Sequence, residues 1–411
     1  LFLSNGAKVT YKKTDFKNDE ILMEAISFGG TNLYSNEELK KVQFANGGLT
    51  QAGFSGLKEN DINKFMSGKV ASVNPYIGNT TEGLRGSATP KDLEYLFQMT
   101  VGYITDLNFD KDAFEGYKQK QSGFFKNMAS QPGFYFQQEL YGYLLKENPR
   151  FFGMIPDEKA WEFTDYQVAY NKYKERFANA ADFEFFFVGN IDDKKIEEYS
   201  AKYLAALPSS DKKEKAIDLG YRMLKGEHKK IVNKGTDPKS TVSIMFYGDA
   251  QYSPKEALAM QALGEVLTIK LIEELRENES GVYGISARGS MSKVPNGAYN
   301  FTIGFPCGPD NAEKLTASAL RELQKIIDNG PQAADVTKFK EAELLDYKKD
   351  IKENRYWLTN FNRSYTNGTS PEDILKVEEK INAITAKDIQ DVAKKYLTKD
   401  KVVGILMPEK S

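Results

Sequence analysis

The chain has one histidine, His228, and one cysteine, Cys307, among its 411 residues. A single thiol cannot form an intrachain disulfide, and a thiolate-cluster zinc site needs several. A single imidazole excludes every metal site or acid–base scheme built on two. Long apolar runs are missing as well, with none reaching the roughly 18 residues of a membrane-spanning helix. Nor is there an excess of charge of one sign. Lys and Arg total 56 against 58 Asp and Glu, a net charge of -2. That balance leaves no global electrostatic footprint for nucleic acid or an anionic membrane. What the chain does have is 40% hydrophobic and 12% aromatic residues, enough for substantial cores. Its length corresponds to about two or three domains at roughly 150 residues each. Leu1 rather than Met opens the sequence, with no charged and apolar leader before Leu3-Ser4-Asn5-Gly6, so it reads as a processed product or a piece of a longer protein.

Landmarks recur at nearly one interval. The strand-like Lys8-Val9-Thr10-Tyr11 is matched by Lys229-Lys230-Ile231-Val232, which sets the interval as that from Lys8 to Lys230. Thr89-Pro90-Lys91-Asp92-Leu93 opens a helix with a Thr cap and Pro at its first position. Gly308-Pro309 opens another, and Leu93 stands as far from Leu315 as Lys8 does from Lys230. Thr164-Asp165-Tyr166 starts a helix running to Phe177 and leading into Asp182–Gly189. Its counterpart starts at Thr385, at almost the same spacing, and leads into Lys401–Leu406. The chain therefore reads as two copies of one unit. Each copy runs strand, strand, helix, strands, helices and a last strand. This order implies an α+β fold of two tandem homologous domains, each an antiparallel-rich sheet with helices packed mainly on one face. Residues 1–208 form the first domain, 209–224 a charged connector expected to be solvated, and 225–411 the second domain. In the second domain a helix is expected from Ser253-Pro254 to about Glu277. Strands are expected over Val282–Ala287 and Ala298–Phe305, joined by a Pro295-Asn296-Gly297 turn.

The chemistry of single residues excludes more than it supports. His228 stands alone in a lysine-rich strand start and reads as an exposed polar residue. Asp192-Asp193 and Glu197-Glu198 read as helix-entry and surface charges rather than a calcium or magnesium site. Cys307, between Pro306 and Gly308, reads as a packed residue rather than a thiolate. No Gly-x-Ser-x-Gly elbow or phosphate-loop spacing occurs. One stretch stands out, from Leu275-Arg276-Glu277 to Gly281-Val282-Tyr283-Gly284. Arg276 closes a largely apolar helix and Tyr283 lies at the start of the next strand. A fixed multi-donor cation and a rigid phenol at such a junction could grip a peptide main chain lying along the sheet edge. Alternatively, Arg276 pairs with Glu273 or Glu277 at the surface and Tyr283 packs in the core.

Several segments together resemble the insulinase/pitrilysin-type zinc metallopeptidases, the family with the inverted H-x-x-E-H motif. Leu3-Ser4-Asn5-Gly6-Ala7-Lys8-Val9 looks like that family's domain-opening strand. Tyr173-Lys174-Glu175-Arg176-Phe177 with Phe185–Ile191 is similar to its domain-closing pattern, and Leu263 to Tyr283 is similar to its helix–strand signature. The resemblance implies duplicated α+β domains, two per half. It also implies that Arg276 and Tyr283 contact the substrate backbone. In the catalytic half the metal motif follows the opening strands by some tens of residues. The equivalent stretch here, Ser35-Asn36-Glu37-Glu38-Leu39 through Gly47-Gly48, lacks it, so no catalytic residue and no metal ligand is carried over. The chain is thus expected to be the C-terminal, metal-free half of a zinc metalloendopeptidase, enclosing and positioning peptide substrate. Zinc would be supplied by a partner N-terminal catalytic half, on the same precursor or as a separate subunit. No nucleic-acid partner and no membrane span are expected, and the bacterial periplasm or cell envelope is the favoured compartment. The alternatives are a non-enzymatic scaffold or core subunit, or a stand-alone peptide-binding protein, of the same fold.

Overall fold

The structure is a computed structural model that describes residues 1–409. Among these residues ten strands form two five-stranded sheets. In the first, β1 (Lys8–Lys13), β2 (Ile21–Phe28), β3 (Ala71–Ile77), β4 (Thr81–Ala88) and β5 (Glu184–Gly189) are ordered β1-β5-β2-β4-β3. In the second, β6 (Glu227–Asn233), β7 (Ser240–Asp249), β8 (Ser286–Ser292), β9 (Ala298–Cys307) and β10 (Lys401–Met407) are ordered β6-β10-β7-β9-β8. In each sheet the first and last strands of the repeat pair in parallel and every other pair is antiparallel. The two sheets share one topology, as the repeat interval implies.

Helix starts follow local chemistry. Ser253 accepts a hydrogen bond from Glu256 N ahead of Pro254, Asp165 accepts from Val168 N, and Thr385 with Asp388 forms a reciprocal capping box. Each satisfies backbone donors that the first helical turn leaves unpaired. The helix Pro254–Leu271 does not run to Glu277 as an α-helix. It widens into a π-helical turn over Ile272–Asn278.

The run Phe185-Phe186-Phe187-Val188 shows how each sheet is covered. Phe185 and Phe187 join the main core with the helices Leu93–Thr105 and Tyr166–Arg176, while Phe186 and Val188 point to the opposite face. A strand buried on both faces carries a continuous apolar run rather than an alternating one. The helix covering that opposite face comes from the other half of the sequence. Trp357, Leu358 and Phe361 of the helix Asn354–Asn367 pack on Leu22, Ile26, Phe186 and Val188. Buried Asn354 accepts a hydrogen bond from the Thr14 hydroxyl at 2.5 Å and donates to Glu20 at 3.0 Å.

The second sheet mirrors this arrangement. Phe136, Leu140 and Leu144 of the helix Pro132–Leu144 lie on Val232, Met245, Tyr247, Val402 and Leu406. A side chain at Gly404 would stand 3.0 Å from both Leu140 and Phe136, so β10 leaves that point bare where the helix crosses. The compact units are accordingly Leu1–Phe125 with Ile155–Leu219 and Lys349–Ile374, and Lys126–Met154 with Gly220–Lys348 and Leu375–Ser411. They depart from the contiguous halves 1–208 and 225–411 because each sheet takes its second cover from the opposite half.

The connector is mostly exposed, as expected of a solvated segment, but it is tethered at a few points. Arg176, almost wholly buried, donates through Nη1 to Glu214 Oε2 at 2.5 Å and through Nη2 to Glu214 Oε1 at 3.3 Å. Asn179 donates to Lys212 O at 2.5 Å, and Asn32 to Ile217 O at 2.9 Å. Beneath Arg176, Glu82 is buried and accepts from Gly30 N at 2.7 Å. Burial pushes its carboxyl up to about 7, against the opposing pull of the Gly30 N–H and Arg176.

Candidate functional site

The junction carrying Arg276 and Tyr283 is built by an unusually buried helix. In Pro254–Leu271, Ala259, Met260, Ala262, Leu263, Gly264, Val266, Leu267 and Leu271 are all buried. It lies against β8, the edge strand, at backbone contact. A Cβ on Gly264 would stand 2.9 Å from Ala287 O. One turn further on, Thr268 Oγ1 accepts from Ala287 N at 2.8 Å. The edge of the sheet next to the junction is therefore closed at Ala287 by a side chain, which is how proteins protect unpaired strand edges.

Beyond Leu271 two buried anchors define the junction. Leu275 is fully buried in the π-helical turn, and Val282 makes an isolated bridge to Cys307 at the end of β9. Between them Gly281 N donates to Leu275 O at 2.9 Å, and Ser280 takes a left-handed φ of 50°. Glu279 ties the loop to the helix Ala312–Asn329. The Ser318 hydroxyl and Lys314, at 3.3 Å, hold its carboxylate below the ordinary range despite partial burial. Each candidate residue directly follows an anchor, Arg276 after Leu275 and Tyr283 after Val282, and both point to solvent. Arg276 is exposed and Tyr283 retains 85% of its accessible surface. Neither makes a hydrogen bond or ion pair with another described residue. The core placement of Tyr283 and the pairing of Arg276 with Glu273 or Glu277 are thus not what forms. Tyr283 also precedes the strand instead of starting it. The ladder begins at Ser286, because Val282 makes only its single bridge.

A polar cleft of about 390 Å³ lies beside the π-helical turn, between Lys270, Glu273, Glu322, Lys325 and Asp335. Its charges are mutually satisfied, with Lys270 reaching Glu273 at 2.9 Å and buried Asp335 at 3.0 Å. It offers no free nucleophile.

The other sequence candidates take structural positions. His228 is half-buried, its Nδ1 2.9 Å from the Tyr143 hydroxyl and its Nε2 2.8 Å from Lys225 O, so it fastens the helix Pro132–Leu144 to β6. Cys307 is buried, and burial raises its thiol above the usual range. Asp192 caps the helix Asp193–Tyr199 through Lys195 N. The stretch from Ser35 forms the helix Asn36–Val42 with a Ser35/Glu38 capping box, and Glu38 pairs with Lys172 at 2.8 Å. Among the described residues no three His, Cys, Asp or Glu side chains cluster as a metal site would. No helix among them is long and apolar enough to cross a membrane. The sequence reading missed the buried Glu82–Arg176–Glu214 cluster. Its members are too far apart along the chain for any local pattern to join them.

The family model described as the Peptidase M16 inactive domain matches residues 169–343. A probable zinc protease, PqqL, of Haemophilus influenzae is 22% identical over 329 residues, which span 80% of this chain and 35% of the relative. The crystal structure of the periplasmic protease PqqL from Escherichia coli superposes with a TM-score of 0.84 at 19% identity, over 99% of this chain and 45% of that one. A peptidase M16 inactive domain from Pseudomonas fluorescens superposes with a TM-score of 0.78 at 15% identity, over 100% of this chain and 98% of that one. At such identities the superpositions establish the fold. The chain spans between about a third and under a half of the length of the curated relatives it matches.

Proposed function

We propose that this chain, which matches the M16 inactive domain over residues 169–343, is the metal-free half of a zinc metalloendopeptidase. In this reading it encloses and orients a peptide while a catalytic half supplies zinc, the nucleophilic water and the general base. The observation that carries the reading is the inactive-domain match across the very segment that presents Arg276 and Tyr283. Two unpaired, exposed donors on buried anchors suit a backbone grip. Because Thr268 closes the strand edge at Ala287, the peptide is held by the guanidinium and phenol rather than by adding a strand. The likeness to a periplasmic protease supports a periplasmic or cell-envelope site of action.

The test is reconstitution. Mixed with its cognate H-x-x-E-H half, the chain should restore cleavage of a fluorogenic peptide. Arg276→Ala should lower kcat/KM about tenfold or more, in line with loss of charge-assisted hydrogen bonds. Tyr283→Phe should lower it less, and both variants should melt as the parent does. A scaffold role instead predicts stable association with a catalytic-half homologue, no peptidase activity, and no effect of either substitution.

A further inference from the structure

The helix Pro132–Leu144 covers the second sheet's back face over β6, β10 and β7 but stops short of β9 and β8. Where it stops, a hollow of about 380 Å³ opens, lined entirely by residues of the second compact unit. That volume is near the lower end of ligand pockets, about 300 Å³. Its floor exists because the β8 and β9 residues facing it, Ser290, Ser292, Ala298 and Asn300, are small or polar.

The walls are Tyr221 and Tyr247 with Met223 and Leu145, whereas the side chains of Tyr299 and Met291 belong to the core on the other face. Tyr247 is buried, and its hydroxyl donates to Leu224 O at 2.8 Å. Its hydrogen-bonding end is committed, so it offers ring surface to an occupant. Tyr221, at 39% exposure, stands at the mouth. Charges are balanced on the lining, Arg222 and Lys225 against Asp249 and Asp400. They are also internally engaged, because Arg222 Nε donates to Asp249 Oδ1 at 2.6 Å and Asp400 Oδ1 accepts from Gly226 N at 2.6 Å. Such a site selects neither a cation nor an anion. Aromatic rings and thioether sulfurs favour another aromatic ring through offset, edge and sulfur contacts.

We propose that this hollow is a subsite for an aromatic side chain of a bound peptide. The proposal rests on the peptide-holding reading above, and its test needs no catalytic half. With methionine methyl groups labelled in the full chain, N-acetyl-phenylalaninamide should saturably shift the Met223 signal, one of ten methionines. N-acetyl-alaninamide and N-acetyl-lysinamide should not shift it at equal concentration. Tyr221→Ala should weaken binding about fivefold, as loss of one aromatic contact implies. Ser290→Leu, at an exposed position, should fill the hollow and abolish binding, with an unchanged melting transition in both variants. The subsite is overturned if no selective shift appears, if the lysine amide binds as well, or if Ser290→Leu leaves binding intact. Any of these alongside an Arg276→Ala defect in reconstituted cleavage refutes the subsite alone. Amide binding with no Arg276 defect refutes the backbone grip instead.

Discussion

Glu82 sits in an environment that its sequence neighbourhood does not announce. Lying in the strand run Thr81-Glu82-Gly83-Leu84, it carries no sign of burial, and its partners Gly30 and Arg176, with Glu214 on the far side of Arg176, come from three other segments. Its acidity falls because desolvation disfavours the carboxylate more than Gly30 N and Arg176 favour it. The folded-state value, about 7, lies above the ordinary carboxylate value. The folded chain therefore holds a proton that the unfolded chain releases, and stability drains away as pH rises through that window. Glu82→Gln should flatten the pH dependence of unfolding free energy between about pH 4.5 and 7 and raise stability at pH 8 by roughly 1–3 kcal/mol. Urea unfolding at several pH values measures this, and a parallel profile for parent and variant would refute the assignment. Arg276 and Tyr283 are the opposite case. Their type and spacing were legible, while their exposure depended on where the buried anchors Leu275 and Val282 fell.

Among the elements, helix starts were the most readable, since caps such as Ser253, Asp165 and Thr385 act through residues within the same first turn. Ends were less so. The π-helical turn over Ile272–Asn278 and the late start of β8 depend on contacts with the helix Ala312–Asn329 and with Cys307. The destination of the two covering helices was not readable at all. The pattern Phe136, Leu140, Leu144 announces an apolar stripe but not the sheet that receives it. Leu140→Ala and Leu358→Ala remove fully buried side chains from these covers. Each should cost about 2–5 kcal/mol, measured by chemical denaturation. A loss below about 1 kcal/mol would mean that the covers contribute little to stability.

For the whole molecule, duplication was visible from the shared spacing of the pairs Lys8 and Lys230, Leu93 and Leu315, and the two sheets have one strand order. Which segments make up each compact unit was hidden, because a connection between distant parts of the chain leaves no local trace. It yields a sharp expectation. Residues 1–208 expressed alone leave Leu22, Ile26, Phe186 and Val188 without the helix Asn354–Asn367, so that fragment should aggregate. Co-expressed with 209–411 it should be recovered as a soluble one-to-one pair. A soluble, monomeric 1–208 fragment with a cooperative melt would overturn this.

The reciprocal loan of helices also bears on ancestry. A solitary copy of the repeat would have had to lend its own covering helix to a twin and borrow one back, giving a swapped homodimer. Joining two such genes end to end fixed that exchange within one polypeptide and freed each lobe to diverge, so that only one now carries the Arg276–Tyr283 junction.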